Sequence, residues 1–225
     1  ASIACGFHAG DANTMHRLCL MAKELGVSIG AHPGFNDLWG FGRRRIQMKP
    51  SDLEYMMAYQ IGALQAIANY AGLKVTHLKA HGALNNMAAE DEGYAMAIGR
   101  AIKTVGRDII YVALYGSEME KAAKRLELHL ALEGFPDRRY DDHGNLASRT
   151  IPGTVIKDHK QAGEAALRMV RDGEIVAMSG KVIKVKVDTL CVHGDEATGV
   201  AVAGSIRKAL EGAGIAVVPL TDMGL

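Results

Sequence analysis

The chain has 225 residues, 48% hydrophobic and 23% charged, with a formal net charge of +1. That balance suits a soluble globular α/β protein and gives nucleic acid no electrostatic footprint. No apolar run approaches the ~18 residues a membrane helix needs, and no leader or lipidation signal is visible.

The three cysteines, Cys5, Cys19 and Cys191, have no C-x-x-C spacing, which favours reduced thiols and a cytoplasmic setting. The chain lacks an initiator Met and opens about one residue before a strand, so upstream residues are expected to be missing.

In chain order, Ile3, Ala4 and Cys5 read as a strand that breaks at Gly6, presents His8 and reaches Asp11. Asp11 stands where a helix N-cap belongs, and residues 11–26 read as a helix stopped by Gly26. Residues 27–31 read as a strand ending at His32-Pro33-Gly34, followed by a long loop over 35–50. Ser51 and Glu54 have capping-box spacing, predicting a helix over 51–72. A strand over 75–79 ends in a turn, Ala80-His81-Gly82-Ala83-Leu84-Asn85-Asn86.

A helix over 92–105 and a buried strand over 108–114 come next. Ser117 caps a helix to Arg125, and 128–132 read as a strand. A second long loop, 134–152, carries Asp137, Arg138, Arg139, Tyr140, Asp141, Asp142 and Arg149. Residues 158–172 read as a helix closed by Gly173. The Lys-alternating stretch 181–186 suits a strand with one wet face, the arm of a hairpin. Residues 189–192 read as a strand ending at His193-Gly194-Asp195, 196–213 as a helix, and 215–218 as a last strand. Alternation without a linker predicts one α/β domain over 1–225 with parallel strands and crossover helices. Reactive groups at many strand ends favour a barrel over an open sheet.

Those strand ends carry the chemistry. His8, His32, His81 and His193, with Asp11 and Asp195, have the donor types for a divalent metal such as zinc or manganese. No H-x-x-x-H or H-x-x-E-H spacing supports it, and taken singly each histidine reads as a satisfied core or loop residue. Four at equivalent topological positions, beside Gly and Pro-Gly turns, point to function. Lys79, two residues before His81, reads as a cation for an oxyanion or phosphate, or as a lysine snorkelling at a strand end. Arg43, in Gly40-Phe-Gly-Arg-Arg-Arg45, suits a bidentate anion contact. Asp137-Arg138 reads equally as a ligand clamp and as a structural ion pair. No P-loop pattern occurs.

Several stretches together resemble the LamB/YcsF family, the A subunits of bacterial ATP-dependent 5-oxoprolinase. They are Ile3-Ala-Cys-Gly-Phe-His-Ala-Gly-Asp11, Gly30-Ala-His-Pro-Gly34, Gly40-Phe-Gly-Arg-Arg44, Lys79-Ala-His-Gly-Ala-Leu84 with Asn86, Glu133-Gly-Phe-Pro-Asp-Arg138, and Val192-His-Gly-Asp195. Ala80 and Asn85 stand where the family usually has Pro and Tyr, and the family's opening acidic strand is absent. The resemblance implies an irregular seven-stranded β/α barrel of the glycoside hydrolase/deacetylase type, here without its first strand.

It also implies ATP-coupled opening of the 5-oxo-L-proline lactam to L-glutamate, with B and C subunits as partners, ATP as co-substrate and a divalent metal, magnesium being the expected ion. A homo-oligomer is compatible with it. Carried onto this chain, catalysis falls to Lys79, His81, His8 and Asp195. Substrate or ATP binding falls to Asp11, His32, Arg43, Glu133, Asp137, Arg138 and His193, and a metal set to His8, His81, His193 and Asp195. Two other readings stand beside it: an ATP-independent metal-dependent deacetylase or amidase on the same barrel, and a non-catalytic carbohydrate-binding or partner protein.

Overall fold

A computed structural model describes residues 1–194 and 197–225. Contacts group the chain into two compact units, Ala1–Ala131 with Pro219–Leu225, and Leu132–Val218.

In the first unit strands and helices alternate as expected: β1 (Ser2–Ala4), α1 (Ala12–Glu24), β2 (Ile29–His32), α2 (Pro50–Tyr70) and β3 (Val75–Leu78). They continue as α3 (Gly82–Glu90), α4 (Glu92–Val105), β4 (Ile110–Leu114) and α5 (Glu118–Arg125). The strands pair in parallel in the order β1-β2-β3-β4. Beyond β4, the Tyr111 N–H donates to the His129 carbonyl at 2.8 Å, just ahead of β5 (Leu130–Gly134).

Asp11 caps α1 as predicted, accepting from the Thr14 N–H, and Ser117 caps α5 by accepting from Glu120. The long helix α2 turns one apolar stripe inward. Leu53, Met57, Ile61 and Leu64 recur at helical spacing and are wholly buried, each contributing roughly 1.5–3 kcal/mol of burial. Helix α2 packs on α1 and α4, and α4 on α5.

The second unit holds α6 (His159–Leu167), whose last turn over Arg168–Asp172 widens to π geometry, and the antiparallel hairpin β6 (Glu174–Val176) and β7 (Val182–Lys184). Strand β8 (Thr189–Leu190) pairs in parallel with β5, and α7 (Gly199–Gly212) packs on α6. Gly173, at φ +64°, ends the α6 segment where expected, and the β7 arm is the predicted hairpin strand.

Three expectations need correction. Ser51 is not an N-cap: Lys49 holds that position without a side-chain bond, because Pro50 has the fixed φ that suits the first helical residue. The stretch after His81 is a helix and not a turn, since burial of Ala83, Leu84, Met87 and Ala88 overrides the weak propensity of Gly82, Asn85 and Asn86. Residues 215–218 form no strand. Ile215 packs on the α6–α7 cluster, while Val217 and Val218 stay nearly half exposed. Among the described residues no helix is long and apolar enough to cross a membrane.

Candidate functional site

Strand register brings three histidines together in the first unit. Ala4 of β1 pairs with His32 of β2. Past the end of β3 the chain stays beside β2, with the Lys79 N–H donating to Ala31 and the His81 N–H to Pro33, at 3.0 and 2.8 Å. His81 therefore lands next to His32 and serves as the residue before α3. His8 arrives from the turn after β1, where Gly6 at φ +91° lets its N–H reach the Ala9 carbonyl at 2.9 Å.

The ring contacts are tight. His8 stacks on His81 with centroids 3.7 Å apart and planes within 5°, and His32 stands edge-on to both. His32 Nδ1 lies 2.7 Å from the Lys79 carbonyl, and His81 Nε2 lies 2.7 Å from the Phe41 carbonyl. A carbonyl only accepts, so each of those nitrogens carries the proton. In the neutral rings the remaining nitrogens, His32 Nε2 and His81 Nδ1, are then both acceptors, and they face each other at 3.1 Å. His8 Nδ1 is buried and has no hydrogen-bond partner among the described residues.

Burial holds His8 well below the ordinary imidazole range, at about 3, with the charges of His81 and Arg43 adding to the effect. His32 is lowered by burial, then by Lys79 and His81. Both rings are neutral near pH 7. One ring nitrogen from each of His8, His32 and His81 falls within 4.8 Å of the others, a donor set for a metal ion. His32, expected among the substrate or ATP contacts, is the third member of that set.

The loop over residues 35–49 wraps the cluster because two glycines let it. A Cβ on Gly34 would stand 2.7 Å from His8 Nδ1, and one on Gly42 2.8 Å from the His8 Cβ and 2.9 Å from His81 Cδ2. Buried Gln60 clamps Gly34 by donating to its carbonyl and accepting from its N–H, both at 3.0 Å. Asp37 gathers the loop by accepting from the Gly40 N–H and the Arg44 guanidinium. Arg44 is thus structural, while Arg43 lies over the Phe41 ring, 5.0 Å from its centroid. Gln60, Asp37 and Phe41 escape sequence reading, since Gln60 and Phe41 act on residues far along the chain and Asp37 acts through the geometry of its own loop.

Asp11 is not drawn into the cluster. Its exposed carboxylate accepts from the Thr14 N–H and hydroxyl, at 2.8 and 3.0 Å, as the cap of α1. Cys5 donates to the Ile3 carbonyl at 3.3 Å, and burial pushes its thiol up to about 12, so it is no nucleophile near neutrality.

In the second unit, buried Asp137 accepts from His193 Nδ1 at 2.6 Å and from the His193 N–H at 3.3 Å. A proton on Nδ1 leaves His193 Nε2 as the basic atom, the arrangement of a carboxylate-oriented general base. The second Asp137 oxygen is buried without a partner among the described residues. Arg138 is buried, donates to the Ala147 carbonyl at 2.5 Å and leaves its Nε unpaired among them. Glu133 is buried in β5, and the Tyr140 hydroxyl accepts from the Phe135 N–H at 2.7 Å. Asp195, expected in both the catalytic and metal sets, lies outside the described residues.

Known proteins are similar over nearly the whole chain. The model of the LamB/YcsF family matches residues 1–224. The chain is 51% identical over 219 residues to the 5-oxoprolinase A subunit of Rhodopseudomonas palustris strain BisB5, covering 97% of this chain and 86% of that one. It is 52% identical, with the same coverage, to a 5-oxoprolinase A subunit of Bradyrhizobium diazoefficiens. The relative from Gluconobacter oxydans, of the same name, is 46% identical over 221 residues, 98% of this chain and 87% of that one. Among solved structures, the lactam utilization protein of Thermus thermophilus superposes with a TM-score of 0.90 at 42% identity, covering 96% of this chain and 87% of that one. With its motifs, its α/β fold and nearly its whole length matched, the chain belongs to the LamB/YcsF family.

Proposed function

We propose that this chain is the A subunit of a 5-oxoprolinase, a hydrolase that opens the lactam of 5-oxo-L-proline to L-glutamate at the expense of ATP. The carrying observation is the cluster of His8, His32 and His81 at the ends of adjacent parallel strands, in a chain about half identical to proteins of that name. The finer fold reading is one domain forming a seven-stranded barrel of the deacetylase type. B and C subunits are the partners, and three buried cysteines outside any disulfide fit a cytoplasmic setting.

The chemistry sets what the residues must do. An unstrained lactam is a weak acyl electrophile, so the γ-phosphoryl of ATP is transferred to the amide oxygen. A first water adds to the activated carbon and the ring C–N bond opens to give γ-glutamyl phosphate, and a second water hydrolyses that acyl phosphate, giving glutamate, ADP and phosphate. Lys79 and Arg43 are the cations for phosphate or the substrate carboxylate. His8 and His81 stand in the catalytic cluster with Lys79, and His32 supports them. In the second unit His193, oriented by Asp137, is built to take a proton from water, and Glu133 and Arg138 are binding groups.

The magnesium expected from the resemblance does not fit the three-histidine cluster. Magnesium demands oxygen ligands in an octahedron, and this cluster offers imidazole nitrogens. Magnesium accompanying ATP belongs to the substrate.

Alanine at Lys79 or at His81 should lower ATP-coupled lactam turnover by about 10²-fold or more. Near-normal turnover in both variants would sink the assignment. The same three imidazoles favour one second reading, a metal-dependent amidase or deacetylase that ignores nucleotide. Metal-dependent turnover unaffected by ATP would select it.

A further inference from the structure

Two carbonyls decide the tautomers of the histidine cluster. Lys79 O fixes the proton of His32 on Nδ1, and Phe41 O fixes that of His81 on Nε2. The nitrogens left over are acceptors 3.1 Å apart, and two lone pairs at that distance repel. A positive species between or beside them relieves that repulsion. The third ring, His8, brings one of its nitrogens within 4.8 Å of a nitrogen on each of the other two, and its Nδ1 is buried without a partner among the described residues.

Two positive species answer that need, a proton or a metal ion. A proton would join His32 and His81 alone and leave His8 Nδ1 unsatisfied. A metal satisfies three rings at once. Two nitrogens each about 2.0–2.1 Å from a tetrahedral zinc are about 3.3 Å apart, close to the separation already present. The third ring must only tilt out of its stack on His81.

We propose that His8, His32 and His81 hold a single ion of the zinc class, through neutral imidazoles whose tautomers the Lys79 and Phe41 carbonyls preset, and that the cluster rejects magnesium. Three protein ligands leave a fourth position open, as in catalytic zinc sites. The two carbonyls take the role of outer-shell partners that orient each ring and raise its basicity. The proposal deepens the functional reading above, because it adds a metal to the same residues. Its test reads metal binding and not turnover, so either can fail alone.

The test uses the whole chain, stripped of metal by a chelator. Calorimetric titration with zinc or cobalt(II) should show one equivalent bound, and magnesium in ~10²-fold excess should not displace it. X-ray absorption at the zinc edge should resolve three imidazole nitrogens at about 2.0–2.1 Å. His8→Ala and His32→Ala should each weaken zinc binding by about 10-fold or more. If a variant fails to fold, the absorption spectrum of the unaltered chain still decides. No stoichiometric binding, a shell without at least two imidazoles, or displacement by magnesium at equal concentration would overturn the proposal.

Discussion

The Phe41 carbonyl accepts from His81 Nε2 at 2.7 Å, and Phe41 reaches it with a φ of +54°, in the left-handed region that a phenylalanine seldom occupies. Such a residue costs about 1–2 kcal/mol and persists because its surroundings over-determine it. Here the surroundings are the His81 hydrogen bond, the Arg43 guanidinium over the ring, and Gly42 pressed on His8. The loop is thus strained onto the histidines rather than draped over them.

That relationship makes a paired prediction. Gly42 and Gly26 have nearly equal φ, +64° and +63°, but only Gly42 has neighbours that a Cβ would strike. Gly26→Ala should cost about 1 kcal/mol of backbone strain and leave turnover unchanged. Gly42→Ala should cost about 1–3 kcal/mol more and depress turnover, because His8 and His81 must move. Urea denaturation of both variants separates strain from displacement, and equal losses would contradict the packing account.

A second prediction concerns pH. Burial lowers His77 on β3 to about 4, with the positive charges of the Ala1 amino group and then of Lys79 adding to the effect. Between the unfolded value of about 6.5 and the folded value of about 4, the unfolded chain binds the extra proton. This contribution is therefore fully present above pH 6.5 and is lost as pH falls through that window, by up to about 3 kcal/mol. Stability measured from pH 7 to 4 should fall less steeply in His77→Gln than in the unaltered chain. Parallel curves would refute the assignment.

The third prediction tests the second unit. Asp137→Asn removes the carboxylate that fixes the His193 tautomer. It should cut turnover by about 10²-fold or more while changing the Michaelis constant little. A loss confined to the Michaelis constant would make Asp137 a binding residue and not a positioning one.

Much of this was legible in the sequence because local rules governed it. Asp11 and Ser117 announce caps by their position before apolar-periodic stretches, and the histidines announce themselves beside strand-ending glycines. What local rules do not govern was hidden. Helix α3 forms through tertiary burial, and among the described residues the run at 215–218 pairs with no strand. Gln60 and Asp37 act on residues far along the chain or through loop geometry. His32 looked like a binding contact because nothing in its spacing reveals that His81 will face it. Asp11 looked like a ligand, yet its carboxylate already serves the helix it caps.

The most direct measurement mixes the chain with the B and C subunits, omitting each in turn, and follows ADP and glutamate release with and without 5-oxo-L-proline. Lactam-stimulated ADP release is expected, matched one for one by glutamate and lost when this chain is left out. Lactam opening that proceeds without ATP, or ADP release that the lactam does not stimulate in any combination, would contradict it.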